Sequence, residues 1–105
     1  MKDKEEQPEY RLDRVPEVNQ QIRDLVAKAT PLGTKQQLLD ALKEIVAKLT
    51  SQPLDWGDPD YNTKKPGGQV CHAILEPLIV HYVVFESDRV VILLKIKPLP
   101  GSSLE

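Results

Sequence analysis

The sequence predicts an α+β domain in which a helical hairpin packs on one face of a small antiparallel sheet. Three observations support this class: two apolar stripes with helical spacing, a connector rich in Pro and Gly, and three β-branched runs at the end. With 105 residues, 40% of them apolar and 29% charged, the chain has the composition of one globular domain. Disorder throughout is excluded, and so is a disulfide scaffold, because Cys71 is the single cysteine.

The first half predicts a short strand and then two helices. Residues 10–15 half alternate between polar and apolar side chains, which is compatible with a strand. A helical stripe follows Pro16 and is expected to end at Thr30, and a second follows Thr34, which is predicted to form a capping box with Gln37. The stripes comprise Val18, Ile22, Leu25, Val26 and Ala29, and then Leu38, Leu42, Ile45, Val46 and Leu49.

The second half predicts a loop followed by a three-stranded antiparallel meander. Residues 51–68 are rich in Pro, Gly, Asp and Asn and are expected to be a connector. Residues 70–75, 78–85 and 90–97 are rich in β-branched side chains and are predicted to be the strands. If the last turn is residues 86–89, Phe85 lies opposite Val90, and strict alternation then assigns each side chain to a face.

Strict alternation predicts which face of this sheet the helices cover. The covered face is predicted to hold Ile79, His81, Val83, Phe85, Val90, Ile92, Leu94 and Ile96. The open face is predicted to hold Leu78, Val80, Tyr82, Val84, Val91, Leu93, Lys95 and Lys97. This second set is apolar near the turn and basic at its far end, so Tyr82, Lys95 and Lys97 mark the place where a site is expected.

Charge and composition exclude several functional classes. Fourteen Lys and Arg against 16 Asp and Glu give a net charge of −2, so a nucleic-acid role requires a local basic patch. The N-terminus is charged and no apolar run approaches the roughly 18 residues of a membrane span, so a cytoplasmic protein without membrane contacts is expected. The sequence lacks the ligand spacing of zinc and calcium sites, and neither a metal nor a cofactor is expected.

Both ends of the chain are predicted to lie outside the fold, which leaves residues 9–100 as the domain. Residues 1–8 combine three acids and two lysines without an apolar pattern and are predicted to be a disordered tail. Residues 101–105 read Gly-Ser-Ser-Leu-Glu, a composition that cloning also supplies, and are predicted to be a second tail.

Two histidines and the cysteine have competing interpretations. His72 and His81 lie opposite each other if the turn between their strands is Glu76-Pro77, and they are then metal ligands, a general base or structural residues. The structural interpretation is favoured, because the sequence offers no third ligand nearby and their face is the predicted core. Cys71 is expected to share the face of Tyr82 as a small buried residue rather than as a nucleophile.

The C-terminal hairpin resembles that of the RelE/ParE superfamily of bacterial toxins. Residues 77–94 read PLIVHYVVFESDRVVILL, with a tyrosine in a strand, an acidic turn and a closing β-branched run, as in that family. The amphipathic helical pair ends in a Leu-x-x-x-Pro segment at Leu49 and Pro53, and the resemblance covers most of residues 10–99. It implies a β-α-α-β-β-β fold and a toxin of a type II toxin–antitoxin system.

For this chain the resemblance implies an endoribonuclease that cleaves messenger RNA on the ribosome without a metal. Lys95 and Lys97 match positions near the end of the last strand where the family commonly has an essential arginine, and Tyr82 matches the strand tyrosine. These three are the catalytic residues that the resemblance implies, and Lys64 and Lys65 are the implied phosphate contacts. The implied partners are a cognate antitoxin and the ribosome with its messenger RNA, or DNA gyrase for a ParE-like member.

Departures from the family pattern support an alternative function. No arginine follows the last strand, the terminal Tyr or His of active members has no counterpart after Lys97, and the net charge is acidic. The lysines are then solvated residues that block edge pairing. The alternative is a non-catalytic interaction module, or an inactive scaffold of the same fold. Its apolar residues on the predicted open face, which a partner or a second copy covers, are Leu78, Val80, Val84, Val91 and Leu93.

Overall fold

The computed structural model describes residues 9–64 and 67–105 as a helical layer on a sheet. Its elements are β1 (Arg11–Arg14), α1 (Pro16–Leu32), α2 (Lys35–Ser51), α3 (Pro53–Trp56), β2 (Asp58–Asn62), β3 (Gly68–Leu75), β4 (Leu78–Phe85) and β5 (Val90–Pro98). Within these described ranges, five strands form one sheet in the order β1-β5-β4-β3-β2. The predicted α+β class with a helical hairpin is confirmed. The sheet is mixed rather than antiparallel, because β1 runs parallel to β5.

The two long helices form the predicted hairpin with two local differences. Helix α1 extends two residues beyond its predicted end, because Gly33 adopts a left-handed conformation with φ of 74° and donates its N–H to the carbonyls of Ala29 and Thr30. The predicted capping box is wrong. The Thr34 side chain makes no capping bond to the described first turn of α2, and its hydroxyl lies 3.5 Å from the Ala29 carbonyl instead.

The predicted connector over residues 51–68 is wrong, because this segment contains α3 and β2. Pro53 stands in the first turn of α3, where its missing N–H has no cost. Strand β2 lies at the edge of the sheet and pairs with β3 through an irregular register between Pro59 and Tyr61. An edge strand with a bulge tolerates proline. Its composition therefore conceals a strand that forms by pairing with β3.

The core lies between the helices and one face of the sheet. The helices contribute Val18, Leu25, Ala29, Leu38, Ala41, Ile45 and Leu49. The sheet contributes Cys71, Ala73, Leu78, Val80, Tyr82, Val84, Val91, Leu93 and Ile96. Each of these side chains is less than a tenth exposed, so their burial supplies the main driving force for folding.

The predicted assignment of the two sheet faces is wrong because of one bulge. Tyr82 pairs with Leu93, but His81, the residue before Tyr82 in β4, pairs with Lys95. Leu94 is therefore an extra residue in β5. A bulge of one residue reverses the alternation beyond it. The lysines were predicted to share the face of Tyr82, and the bulge transfers them to the face of His81.

The corrected faces follow from the register and from burial. The helix-covered face holds Leu78, Val80, Tyr82, Val84, Val91, Leu93 and Ile96. The open face holds Ile79, His81, Val83, Phe85, Val90, Ile92, Lys95 and Lys97. The prediction that Lys95 and Lys97 lie on an open face therefore agrees with the structure, whereas the prediction that Tyr82 accompanies them does not.

The C-terminal residues pack against the fold, contrary to the predicted tail over residues 101–105. Leu104 is 1% exposed and belongs to the core cluster. The Lys28 ammonium donates a hydrogen bond of 3.1 Å to the Leu104 carbonyl, which ties the segment to α1. The prediction for residues 1–8 lies outside the described residues.

Candidate functional site

A row of polar side chains crosses the open face of the sheet. Asp58 on β2 lies opposite His72 on β3, His72 lies opposite His81 on β4, and His81 lies opposite Lys95 on β5. Directly opposed residues share a face, so these four side chains stand side by side. Lys97 is the next open-face position along β5, opposite Ile79. We call Asp58, Asp60, His72, His81, Lys95 and Lys97 the polar row.

Local structure explains why these residues meet. The tight turn at Glu76 and Pro77 places His72 and His81 opposite each other, as the sequence predicts. The bulge at Leu94 brings Lys95 beside His81. Strand β1 pairs with β5 only as far as Leu93. Past that point, the Gln21 side chain accepts a 2.8 Å hydrogen bond from the Ile96 N–H, which holds the C-terminal half of β5 against α1.

His72 is held by a carboxylate from the neighbouring strand. Its Nδ1 lies 2.7 Å from Oδ1 of Asp60, and the two side chains are 33% and 30% exposed. Asp60 reaches His72 because the register of β2 shifts between Pro59 and Tyr61. A carboxylate only accepts hydrogen bonds, so the pair requires a proton on Nδ1 of His72.

His81 lies between His72 and the lysines. The two imidazole centroids are 6.2 Å apart. Burial lowers the pKa of His81 below its ordinary value of 6.5, and the charges of Lys95 and Lys97 and the neighbouring His72 lower it further, against an opposing effect of Asp60. His81 is therefore neutral at neutral pH and is able to accept a proton.

The two lysines of the row are exposed at the end of β5. Together with Lys28 of α1, they line a cavity of about 400 Å³ between α1 and β5, whose floor includes Leu25 and Ile96. Asp24 of α1 lines the same cavity, so three lysines and one aspartate give this concave surface a net positive charge and make it a small local basic patch. Such a patch is suited to an anionic group like a phosphate.

Tyr82 is part of the core and does not contact this patch. It is 0% exposed, and its hydroxyl donates a 2.6 Å hydrogen bond to the Pro53 carbonyl. The ring stacks on Trp56 with centroids 6.1 Å apart. Burial strongly raises the pKa of the Tyr82 hydroxyl, so it stays protonated. Gly57 leaves room for this hydroxyl, since a Cβ there would meet it.

The remaining predicted site residues lie elsewhere. Lys64 is exposed in the connection between β2 and β3, and Lys65 lies outside the described residues. Cys71 shares the face of Tyr82, as predicted, but this face is the core. Burial raises the pKa of the Cys71 thiol, which disfavours the thiolate that a nucleophile requires.

The apolar surface predicted for an interaction module is also wrong, because all five of its residues lie under the helices. The actual open face has a different apolar part next to the polar row. Val70 and Val83 are buried there, although neither belongs to the core cluster, and Tyr61, opposite Val70, is 63% exposed. This part of the face is continuous with the histidines along β3 and β4.

Asp60 is the residue that sequence reasoning missed. It stands in the segment over residues 51–68 that the sequence predicts to be a connector. The signal was its position twelve residues before His72, which becomes meaningful only when β2 is known to pair with β3. Among the described residues, no group of three or more potential ligands is arranged to hold a metal ion.

None of the helices in the described part of the chain combines the length and the apolar character needed to cross a membrane. No family model matches the sequence, and no curated protein matches it either. The architecture itself is the RelE-like α+β class.

One similar solved structure is a chain of the archaeal RelE–RelB complex from Pyrococcus horikoshii OT3. The two chains superpose with a TM-score of 0.61 at 20% sequence identity. The match covers 89% of this chain and 98% of the other. A match of this kind establishes the fold, so any function has to be argued from the residues of the open face.

Proposed function

We propose that this protein is a RelE-like toxin that cleaves messenger RNA on the ribosome without a metal ion. One observation carries the proposal: Lys95 and Lys97 share the exposed face of the sheet with a neutral imidazole, His81. The RelE-like fold supports it, because the open face is the surface that the helices leave accessible. The location that fits this activity is the cytoplasm.

The proposed reaction needs no group beyond those that side chains provide. The ribose 2′-oxygen attacks the adjacent phosphorus, a 2′-O–P bond forms, and the P–O5′ bond breaks, which yields a 2′,3′-cyclic phosphate and a 5′-hydroxyl. Negative charge accumulates on the phosphoryl oxygens, and Lys95 and Lys97 stabilise it as cations. A base accepts the 2′-hydroxyl proton, and an acid protonates the departing oxygen.

Of the other residues implied by the family resemblance, we keep two lysines in the proposed site and exclude the tyrosine. Lys64 is exposed and free to approach the RNA strand on either side of the scissile phosphate, and we propose the same role for Lys65. Tyr82 is left out of the proposed site because its hydroxyl is buried against Pro53.

A protein antitoxin is the proposed regulatory partner. The archaeal structure that this chain resembles is a complex of RelE with RelB, which supports a second protein as a partner. An antitoxin that covers Lys95 and Lys97 would prevent the lysines from reaching phosphate. DNA gyrase in place of the ribosome is the target to test if RNA stays intact while growth stops.

A binding module without catalysis is the second candidate, favoured by the apolar part of the open face. Tyr61 on one side of the histidines and Ile74 on the other are 63% and 55% exposed on this face. Aromatic and β-branched side chains on an uncovered sheet suit a protein partner or a second copy of this chain. In this case Lys95 and Lys97 contribute only solubility.

Induced expression in a bacterial host tests the first candidate. We expect growth arrest with the wild-type chain and relief of arrest with Lys95→Ala/Lys97→Ala, because removing stabilisers of transition-state charge costs about a hundredfold or more in rate. The matched control is Lys35→Ala/Lys43→Ala, which removes the same charge from exposed positions on α2.

The outcomes separate the candidates. Arrest by wild type and by the α2 control, but not by the β5 variant, supports the toxin. Equal arrest by all three chains contradicts a role for the lysines and directs attention to gyrase. Growth of all three strains at equal levels of folded protein contradicts the toxin and supports the binding module.

A further inference from the structure

The two histidines of the polar row differ in their surroundings, although their rings are only 6.2 Å apart. His72 has a carboxylate at hydrogen-bonding distance on its β2 side. His81 has two lysines on its β5 side. Two rings of one type therefore face groups of opposite charge, which suits them to different roles in proton transfer.

Asp60 determines which nitrogen of His72 is available. Because the carboxylate accepts from Nδ1–H at 2.7 Å, the proton on Nδ1 is engaged, and Nε2 is the nitrogen that remains for a substrate. In the protonated ring, Nε2 carries a second N–H, which is a proton donor. Asp60 then forms an ion pair with the ring at the same distance.

Charged groups reach His81 from every neighbouring strand. Lys95 and Lys97 of β5 disfavour its protonated form, His72 of β3 acts in the same sense, and Asp60 of β2 acts against them. A bound phosphodiester carries one negative charge and offsets part of the positive charge of the two lysines. His81 therefore becomes a stronger base when substrate is present than when the site is empty.

We propose that His72 and His81 are the proton-transfer pair of this site and that Asp60 is the residue that positions His72. The inference rests on the proposed ribonuclease function. His81 takes the 2′-hydroxyl proton as the 2′-O–P bond forms. Nε2 of His72 gives its proton to the 5′-oxygen as the P–O5′ bond breaks, and the Nδ1–H bond to Asp60 is kept. Water exchange then returns both rings to their starting states.

The first test of this pair is spectroscopic and needs no activity. Nitrogen-15 NMR of the full chain, well above neutral pH, reads the tautomer of each neutral histidine. We expect neutral His72 to carry its proton on Nδ1 in wild type and to change to the more common Nε2–H tautomer in Asp60→Ala. The control Asp58→Ala removes a carboxylate from the same strand, at the position opposite His72, and should leave the tautomer unchanged.

The second test is cleavage of a short messenger RNA on programmed ribosomes. His81→Gln and His72→Gln are each expected to slow single-turnover cleavage at least about a hundredfold, as loss of a general base or acid does. His81→Gln should also abolish the loss of rate at low pH, because the base that low pH protonates is then absent. Asp60→Ala should slow cleavage about a hundredfold through misplacement of His72, while Asp40→Ala, at an exposed position on α2, should not.

The two proposals fail in different ways. If wild-type protein leaves the RNA intact, the ribonuclease function is wrong and the proton-transfer pair falls with it. If wild type cleaves but either glutamine variant retains its rate and its pH profile, the pair alone is wrong. An Nε2–H tautomer of His72 in the wild-type chain contradicts the role of Asp60, whatever the activity. Thermal unfolding of each variant confirms that the fold is intact.

Discussion

Both faces of the sheet carry valine and isoleucine side chains, but they differ in what covers them and in how many polar side chains they hold. On the helix-covered face, Val80 and Val84 are buried by α1 and α2 as part of the core. On the open face, Val70 and Val83 are 6% and 5% exposed although they lie outside the core cluster. Burial of a single valine therefore does not distinguish the two faces. Apolar composition does not identify the covered face, whereas the polar row identifies the open one.

The largest effect is expected when two isoleucines of the same strand, one on each face, are replaced and the stabilities of the variants are compared. Ile96 of β5 is 2% exposed in the core, and Ile92 of the same strand faces the open side. We expect Ile96→Ala to lower the free energy of unfolding by about 3 kcal/mol, because it leaves a cavity between helix and sheet. Ile92→Ala should cost about 1 kcal/mol, since solvent and neighbouring side chains fill the space.

Urea unfolding of both variants measures the difference. Equal losses would mean that the open face is covered in solution, as it would be in a stable dimer. Repeating the measurement over a range of protein concentrations distinguishes that case, because the stability of a dimer depends on concentration.

The amphipathic stripes and the last two turns were sufficient to predict the helical hairpin, the β3-β4-β5 meander and the opposition of His72 and His81. Helical and strand periods are local signals that a single sequence carries. The error in the faces arose at Leu93 and Leu94. Because these adjacent side chains are identical, the sequence does not indicate which one is extra, and the bulge reverses every assignment beyond it.

The site was predictable only in part for a related reason. Lys95 and Lys97 are recognisable because a charged residue at the end of a strand is exposed whichever face it occupies. Asp60 is not recognisable in this way, because its role depends on the edge strand β2. Asp58 and Pro59, which precede Asp60 in β2, are residue types that disfavour a strand. Partners across non-local strand pairs are tertiary information, which propensity does not contain.

The second prediction concerns the two tyrosines that lie on opposite faces. Tyr82→Phe removes a buried 2.6 Å hydrogen bond and leaves the Pro53 carbonyl without this donor. We expect a loss of about 1 to 2 kcal/mol in the free energy of unfolding. Tyr61→Phe, at an exposed position, should change stability by less than about 0.5 kcal/mol.

The rate of RNA cleavage by the Tyr82→Phe variant distinguishes a structural role of Tyr82 from a catalytic one. Under conditions in which the variant is fully folded, Tyr82→Phe should keep the wild-type rate of RNA cleavage, because the hydroxyl lies on the other face from Lys95. A large loss of rate in the folded variant would return Tyr82 to the catalytic set and contradict the corrected face assignment.

The smallest expected effect is a pH dependence of stability that comes from the polar row. Because the pKa of His81 in the folded protein lies below its ordinary value of 6.5, the unfolded chain takes up a proton before the folded one does as pH falls. The contribution of His81 to stability is therefore complete above 6.5 and declines as the pH falls toward the pKa in the folded state. Titration of the His81 ring by NMR should show this lowered midpoint directly.

Substitution of the lysines tests the cause of this shift. Burial is its largest cause and the lysines come next, so Lys95→Ala/Lys97→Ala should raise the His81 midpoint partway toward 6.5 and make the loss of stability at acid pH shallower. The charge-matched Lys35→Ala/Lys43→Ala variant should leave both quantities unchanged. If the midpoint of His81 does not respond to the lysines, they do not face it on the open side, and the polar row is not a single electrostatic unit.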